Sequence, residues 1–321
     1  MDSRSGTEVR LRARRKVKVF YHERFNIDLG ILNRLHPFDG LKFRRVKDGL
    51  SACKNLQFID VIGPIRDAEI DLFVSGLLRR LLTKKRYVLG ALEVPYLPLV
   101  PYSFIDRRVL EPMRWAVGAT QQAAQLALDG TNCWNLSGGY HHASRTDAEG
   151  FCIYNDVGIA SQHLRRSGAL SESDEILIID VDAHHGNGNA RVFLDDRRTS
   201  ILDIYNGQIY PNSPVTKERV DVNIPLRRGT VGETYLAQLD EGLRKLEGKY
   251  RLAFVVAGTD VLATDPLGGL GLTVDDCVAR DTLVLNRLSA LSIPAVVLRG
   301  GGYGRDSART VIQSASANAS L

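Results

Sequence analysis

A short apolar run that leads into a cluster of metal-binding residue types is the most constraining feature of this sequence. Residues 176–179, Ile-Leu-Ile-Ile, are typical of a buried strand, and residues 180–184 continue as Asp-Val-Asp-Ala-His. Because side chains at i and i+2 of an extended chain share a face, Asp180, Asp182 and His184 are expected to point the same way. Buried carboxylates are costly without a compensating cation, so the segment predicts an oxygen and nitrogen metal site, which Zn²⁺ with an open position fits. A solvated acidic turn or a helix cap is the alternative interpretation.

Composition and charge are ordinary for a globular protein. Of the 321 residues, 44% are hydrophobic and 25% are charged, and the net charge is +5. Much of the positive excess lies in residues 10–18, largely within a leader that we expect to span residues 1–16. A frayed terminus is the favoured interpretation of this leader. Contact with nucleic acid or an acidic surface is the alternative, although we expect no direct nucleic-acid binding.

The cysteines and the hydropathy pattern bear on the cellular compartment. Cys53, Cys133, Cys152 and Cys277 have no CxxC spacing, so we expect reduced thiols and neither a disulfide framework nor a thiolate zinc cage. No apolar stretch approaches the ~18 residues of a transmembrane helix, and the charged N-terminus is unlike a signal peptide. We therefore expect no membrane span and a cytoplasmic protein, or a nuclear one if the source is eukaryotic.

Short apolar runs alternate with segments of helical periodicity along most of the chain. Strands are predicted at 17–21, 133–136, 176–179, 200–205, 252–257 and 294–298. Helices are predicted at 42–56, 67–82, 112–128, 155–164, 189–193, 233–247, 273–288 and 307–317. This alternation predicts an α/β fold, with a parallel sheet covered by helices on both faces. The lack of a repeat or linker favours a single domain over residues 17–321.

Four polar or glycine-rich segments each follow a predicted strand. They are residues 137–142, 182–188, 257–260 and 300–303. Because ligands of open parallel sheets bind beyond the carboxyl ends of the strands, these segments predict one shared site. Asp260 is the best candidate for a third metal ligand, with Asp265 as its competitor. His141 and His142 are placed to exchange protons with a metal-activated water, and Tyr303 to donate to a developing oxyanion. Ordinary core histidines and a core tyrosine are the alternatives.

At this point the sequence resembles the zinc-dependent histone deacetylase family. The matching segments read SGGYHHASRTDAEGFCIYND, IDVDAHHGNGNARVF, AGTDVLATDPLGGL and RGGGY. LHPFDGLKF, DIYNGQIYPN, GTDVL and the Asn of HGNG make the resemblance closest to class IV. It spans roughly residues 17–315 and implies an arginase-like α/β domain whose central parallel sheet has about eight strands.

The resemblance implies roles for individual residues. The zinc ligands match Asp182, His184 and Asp260. The catalytic positions match His141, His142, Asp180, Asn187 and Tyr303. Among these, His142 matches the general base and Tyr303 the transition-state tyrosine, while Asp180 would hydrogen-bond His141 and Asn187 would face His142. His185 has no matched role, and we expect it to pack behind the ligands without touching the metal.

The resemblance also implies a substrate tunnel and a structural potassium site. Phe151 and Tyr210 match the two aromatic walls of an acyl-lysine tunnel, with plain core aromatics as the alternative. Gly150 and Leu267 would line the same tunnel. The potassium site matches Asp180, Asp182 and His184, and Asp203 is the candidate that would complete it.

The sequence departs from the well-studied class I enzymes in two places. Those enzymes carry aspartate where Asn187 stands, and a neutral amide cannot stabilise an imidazolium as a carboxylate does. We therefore expect a lower pKa for His142, which favours a base over a stored acid. Residues 93–102 offer no clear match to the acidic rim residue that holds the substrate backbone in class I, so peptide selectivity is expected to be loose. Class IV resemblance makes long acyl chains a plausible substrate, and the loop at residues 268–271 is a candidate for the room they need.

These features predict a zinc-dependent hydrolase that removes acyl groups from lysine Nε of histones or other proteins and binds hydroxamate-type inhibitors. A deacetylase of small amines such as acetylpolyamines is the nearest alternative. An acidic gatekeeper at the tunnel mouth would support it, and none stands out in the sequence. A binuclear manganese ureohydrolase of arginase type needs a further bridging carboxylate where Asn187 stands. A non-catalytic scaffold would require a broken site, whereas every catalytic position is filled.

Overall fold

Eight strands form one sheet in a computed structural model that describes residues 16–30 and 38–320. They are β1 Val17–Tyr21, β2 Leu56–Asp60, β3 Cys133–Asn135, β4 Glu175–Asp180, β5 Thr199–Asn206, β6 Val222–Leu226, β7 Tyr250–Val256 and β8 Ala295–Leu298. Their order across the sheet is β2-β1-β3-β8-β7-β4-β5-β6, and every neighbouring pair is parallel. The predicted α/β fold with about eight parallel strands is therefore confirmed. The basic leader lies outside the described residues apart from Lys16, as does the start of the LHPFDGLKF motif.

Helices connect the strands. They are α1 Lys42–Leu50, α2 Asp67–Phe73, α3 Gly76–Leu81, α4 Lys85–Ala91, α5 Tyr102–Ile105, α6 Glu111–Ala127, α7 Asp156–Arg166, α8 Asn187–Val192, α9 Pro214–Arg219, α10 Gly232–Arg244, α11 Val274–Ala290 and α12 Ser307–Ala317. A 3₁₀ turn covers Glu23–Phe25, and a π-helical turn at Asp106–Leu110 joins α5 to α6. No helix in the described ranges is long and apolar enough to cross a membrane.

The centre of the sheet is buried on both faces. Residues 176–180 of β4, 252–256 of β7 and 295–298 of β8 are all buried, and Ile178 lies opposite Phe254 in the parallel register. Successive strand side chains point to opposite faces, so an unbroken buried run requires cover on both sides. Burying each large aliphatic side chain contributes about 1.5–3 kcal/mol, which is why these strands are the apolar runs of the sequence.

The two outermost strands were not predicted from the sequence. The edge strand β2 has only Leu56 fully buried, and the opposite edge, β6, alternates partly buried and exposed residues and contains Pro225. An edge strand is half solvated and tolerates proline, so its sequence carries a weak apolar pattern.

Two predicted helices are shorter than expected. The first ends at Leu50, because residues 56–60 form β2. The predicted helix at residues 67–82 is two helices, α2 and α3, separated at Val74 and Ser75. The Ser75 hydroxyl accepts a hydrogen bond from Leu78 N at 3.1 Å, and a serine at this position starts a new helix by satisfying one of its free amides.

Candidate active site

Three buried side chains converge beyond the carboxyl ends of β4 and β7. Ligand atoms of Asp182, His184 and Asp260 all lie within 4.8 Å of one another. The His184 Nδ1 atom is 2.9 Å from Asp260 Oδ2 and 3.1 Å from Asp182 Oδ1. Asp265, the competing candidate, lies outside this group, and its carboxylate accepts hydrogen bonds from the amides of Tyr303 and Gly304 at 2.7 and 2.8 Å.

The electrostatics of this group favour a bound cation. Burial, followed by the charge of Asp182, raises the pKa of Asp260. Burial alone would also raise the pKa of Asp182, but the charges of His141 and His184 outweigh it and lower that pKa. The negative charges of these two buried carboxylates repel each other, and a cation bound between them would relieve the repulsion. Two carboxylate oxygens and an imidazole nitrogen with an open fourth position are a donor set that fits Zn²⁺.

A glycine permits the close packing around the ligands. A Cβ atom at Gly258, two residues before Asp260, would overlap Asp182 Oδ2. Any larger residue would displace the carboxylate, so the loop after β7 brings Asp260 and Asp182 together only through this glycine.

Two adjacent histidines have contrasting partners. The His141 Nδ1 atom is 2.8 Å from Asp180 Oδ2, and the His142 Nδ1 atom is 2.7 Å from Asn187 Oδ1. Burial would lower the pKa of His141, but the carboxylates of Asp180 and Asp182 outweigh it and raise the pKa to about 9. Burial and the charges of His141 and His184 hold the pKa of His142 well below its ordinary value. The pKa values of these two neighbouring histidines are thus shifted in opposite directions, a pattern typical of paired acids and bases.

A tyrosine on a glycine turn completes the group. The Tyr303 ring lies 6.4 Å from the His184 ring and 5.5 Å from the Phe151 ring, between ring centroids. Burial, followed by the charges of Asp260 and Asp182, raises the pKa of Tyr303 well above its ordinary value, so its hydroxyl remains a donor. The turn is held from behind by the Lys42 ammonium, which donates to the carbonyls of residues 300–302.

Comparison with known proteins identifies this arrangement. The sequence matches the family described as "Histone deacetylase domain" over residues 89–319. Histone deacetylase 2 of Arabidopsis thaliana is 33% identical over 303 residues, which are 93% of this chain and 78% of that protein. The chain belongs to the histone deacetylase family. It is an amidohydrolase of that family, and Asp182, His184 and Asp260 form its candidate metal site.

Other proteins are similar to shorter parts of the chain. An uncharacterized Picosynechococcus protein is 35% identical over 193 residues, covering 60% of this chain and 62% of that protein. Histone deacetylase RPD3 of Saccharomyces cerevisiae is 31% identical over 190 residues, covering 55% of this chain and 41% of the yeast protein. Two crystal structures share the fold. The HD domain of HDA15 has a TM-score of 0.71 at 21% identity, covering 94% of this chain and 89% of that one. An HDAC homologue complexed with SAHA has a TM-score of 0.73 at 23% sequence identity, and the match covers 94% of this chain and 84% of that one.

Of the four tunnel residues predicted from the family resemblance, two line the cavity at the metal centre. Gly150 and Phe151 line a cavity that also contacts His142 and Tyr303. The Tyr210 ring packs on the His142 ring, with centroids 5.2 Å apart, while 42% of Tyr210 remains exposed. Leu267 is not among the described residues that line this cavity, and its role as a tunnel residue stays a prediction.

The cavity that reaches the metal centre is strongly apolar. The space between its lining atoms is about 1260 Å³, with the open mouth included. Its apolar lining includes Ile27, Leu29, Phe38, Leu89, Leu92, Val94, Leu97, Val100, Phe104, Val109 and Met113. The described residues that line this cavity include none of the loop at 268–271, and the expectation that this loop provides the room stays a prediction. The room lies on the side of α4 and α6, whose apolar residues looked like ordinary core in the sequence.

A second polar group lies behind the ligands, at Asp203. Asp203 is paired with Asp180 in the register of β4 and β5. Its Oδ2 atom accepts from Gly186 N at 2.9 Å and is 2.7 Å from His185 Nδ1, whose ring also contacts Thr216 at 2.8 Å. The Asp203 Oδ1 atom is buried and has no partner among the described residues. An orphaned carboxylate oxygen beside Asp180 fits the predicted structural potassium, whereas His185 packs as expected.

Several supporting residues escaped the sequence analysis. Glu149 contacts both Asn187 and Tyr210, and Lys42 holds the glycine turn. The buried Arg280 donates to the backbone carbonyls of Val181 and Gly258 at 3.0 and 2.7 Å. Each lies among other charged residues, so its sequence neighbours do not single it out. The available signals were weak: Glu149 directly precedes the tunnel glycine, and Arg280 falls on the apolar face of a predicted helix.

Proposed function

We propose that the protein is a zinc-dependent lysine deacylase that hydrolyses the amide of Nε-acyl-lysine in histones or other proteins. The observation that carries the proposal is the convergence of a three-residue metal site, a neutral histidine and a protonated tyrosine at the end of one apolar cavity. Hydrolysis of an unactivated amide needs an electrophile for the carbonyl, a base for water and a donor for the developing negative charge. Each of these requirements has a candidate residue or ligand here.

In this proposal the residues divide the proton and charge transfers among them. Bound zinc, held by Asp182, His184 and Asp260, would polarise the acyl carbonyl and lower the pKa of water. His142 accepts the proton of the attacking water at Nε2, because its Nδ1 atom faces Asn187. The Tyr303 hydroxyl donates to the carbonyl oxygen as charge develops, a contact of the kind that contributes ~10²–10³ in rate. The lysine amine then leaves with a proton from a protonated histidine.

We further propose that the enzyme accepts long acyl chains and is closest to class IV. The apolar lining that continues from the metal centre towards Leu89, Leu97 and Met113 supports long chains, because covering a hydrocarbon chain with apolar side chains removes it from water. The asparagine at position 187 supports the class assignment. A structural potassium ion near Asp180 and Asp203 is part of the same proposal, supported by the unpartnered Asp203 Oδ1 atom.

A panel of acyl-lysine peptides from acetyl to myristoyl, assayed with and without a chelator, tests the proposal. We expect chelator-sensitive hydrolysis, with Tyr303→Phe and His142→Ala each at least a hundredfold slower. Near wild-type activity of both variants would refute the mechanism. Leu97→Trp narrows the cavity and should slow myristoyl hydrolysis far more than acetyl hydrolysis. An equal effect on the two substrates would argue against this cavity as the acyl site. A hydroxamate such as SAHA should compete with the peptide.

One observation bears on the choice between a protein substrate and a small amine. Glu93 and Glu149 line a shallow depression with Tyr210, beside the tunnel. Two carboxylates at a tunnel mouth attract a second cationic group, which both a polyamine and a basic peptide supply. Including acetylpolyamines in the substrate panel separates the two. A higher kcat/KM for the polyamine than for every peptide would replace the protein substrate with a small amine.

A further inference from the structure

The Asn187 side chain lies between Glu149 and His142. The Glu149 Oε1 atom accepts a hydrogen bond from Asn187 Nδ2 at 2.8 Å and pairs with the Arg191 guanidinium, one turn further along α8. The Glu149 Oε2 atom accepts from the Tyr210 hydroxyl at 2.9 Å. The backbone of Glu149 is held as well, because it exchanges hydrogen bonds with Cys152 at 3.1 and 2.9 Å.

A side-chain amide alone does not determine what it presents to a neighbour. One edge of the Asn187 amide is an acceptor and the other is a donor, and a half-turn about the terminal bond exchanges them with almost no change in shape. With the carbonyl edge facing His142, the Nδ1 atom must carry the hydrogen and Nε2 has a free lone pair. With the NH₂ edge facing His142, Nδ1 must accept, the hydrogen moves to Nε2, and the ring cannot act as a base towards the metal centre.

We infer that Glu149 is a positioning residue that sets the tautomer of His142 through Asn187. An ionised carboxylate only accepts hydrogen bonds, so it selects the NH₂ edge of Asn187 and leaves the carbonyl edge for His142 Nδ1. In the structure the Asn187 Nδ2 atom faces Glu149 Oε1 at 2.8 Å and the Oδ1 atom faces His142 Nδ1 at 2.7 Å, as this arrangement requires. The pair Glu149 and Asn187 thereby gives His142 the orientation that a single carboxylate would give directly, without placing a negative charge against the ring. This inference rests on the proposed role of His142 as the base.

Arg191 makes the inference sharply testable. A guanidinium only donates, and here Glu149 occupies it. Methionine has a side chain of similar length to glutamate but carries no carboxylate. In Glu149→Met, the polar group left beside Asn187 is therefore the Arg191 guanidinium. It attracts the carbonyl edge, which turns the NH₂ edge to His142 and inverts the tautomer. Glu149→Gln keeps a carbonyl oxygen for Arg191 and Asn187 and preserves the orientation.

A second change distinguishes positioning from support of the fold. In the double variant Glu149→Met, Asn187→Asp, both edges of the residue at position 187 accept. One edge accepts from His142 Nδ1 and the other from Arg191, so the correct tautomer returns without Glu149. This change does not repair the lost contact of the Tyr210 hydroxyl, so recovery cannot come from the tunnel wall.

The experiment combines steady-state kinetics on an acyl-lysine peptide with nitrogen NMR of histidine-labelled, zinc-loaded protein at a mildly alkaline pH. We expect Glu149→Met to lower kcat at least tenfold and to move the His142 hydrogen from Nδ1 to Nε2, general base catalysis being worth ~10²–10⁴. Glu149→Gln should stay within about threefold of wild type, and the double variant should regain most of kcat with hydrogen on Nδ1. Tyr210→Phe should leave the tautomer unchanged. Glu172→Met removes an exposed glutamate that also pairs with an arginine, at the opposite end of β4, and should behave as wild type.

The inference is overturned if Glu149→Met keeps hydrogen on Nδ1, if its kcat stays within twofold of wild type, or if the double variant shows no recovery. A failure of the proposed function looks different, because the wild type would then hydrolyse no acyl-lysine peptide. The NMR comparison still decides the tautomer of His142 in that case.

Discussion

Asp281 neutralises two buried arginines beneath the metal centre, and its replacement by asparagine measures how strongly the ligand loops are anchored. Its Oδ1 atom accepts from Arg280 Nε at 2.9 Å, and its Oδ2 atom pairs with Arg299. All three residues are at most 4% exposed. Arg280 in turn donates to the carbonyls of Val181 and Gly258, which lie in the two loops that carry the metal ligands. Asparagine keeps the shape of Asp281 but leaves both arginines without a counter-charge.

The size of the effect follows from burial. Breaking a buried ion pair by removing one partner costs about 3–5 kcal/mol, a large part of a total stability of ~5–15 kcal/mol. Burial alone would raise the pKa of Asp281, but Arg280 and Arg299 outweigh it and lower the pKa. A carboxylate with a lowered folded-state pKa contributes stability that is complete above its unfolded pKa of ~3.9 and is lost as the pH falls through the folded-state value. Asp281→Asn should remove this part of the acid sensitivity.

Urea unfolding at neutral and acidic pH measures both effects through the midpoint concentration at an unchanged m-value. Asp240→Asn is the matched control, because Asp240 forms an exposed i,i+4 pair with Arg244 and such pairs contribute ~0.3–0.5 kcal/mol. A loss of less than about 1 kcal/mol in Asp281→Asn, or an acid dependence equal to that of the wild type, would refute this account of the anchor.

Three further predictions concern the site itself. The lowered pKa of His142 predicts that the acidic limb of kcat/KM lies below pH 6.5, since the base is neutral above its pKa; a limb at higher pH in a rate profile would contradict the assignment. Zinc added to the metal-free protein should raise Tm, whereas Asp182→Ala should show no such rise in calorimetry; an equal rise in the variant would place the ion elsewhere. A Cβ atom at Gly150, where φ is +55°, would overlap the His142 ring, so Gly150→Ala should lower kcat for an acetyl-lysine peptide at least tenfold. A wild-type kcat in Gly150→Ala would contradict this prediction and show that the His142 ring shifts without loss of activity.

The central strands and the metal group were predictable because their signals are local. The runs at β4, β7 and β8 are apolar for the same reason that they are buried, and each is followed directly by a polar loop. Asp182 and His184 lie two residues apart, so their proximity needs no knowledge of the rest of the chain. Asp260 required the further rule that parallel strands end at one edge, and the structure places it in the group.

The rest of the site depends on contacts across the fold that leave no local pattern. Glu149 and Asn187 are 38 residues apart, and Lys42 reaches a glycine turn 259 residues away. The apolar cavity is lined by residues that share the periodicity of ordinary core, so no sequence signal separates a filled core from an open pocket. The unpartnered oxygen of Asp203 likewise becomes visible only when every neighbour is known.

The strand order has a consequence for how the chain assembles. β8 is the last strand in chain order, yet it lies between β3 and β7 near the middle of the sheet. Until β8 pairs, the sheet is two half-sheets, β2-β1-β3 and β7-β4-β5-β6, each with an open edge at what becomes the protein's centre. Open edges of this kind are aggregation-prone, and distant pairings are slow to form. Because Tyr303 closely follows β8 in the sequence, the strand that joins the two half-sheets also carries this tyrosine to the site.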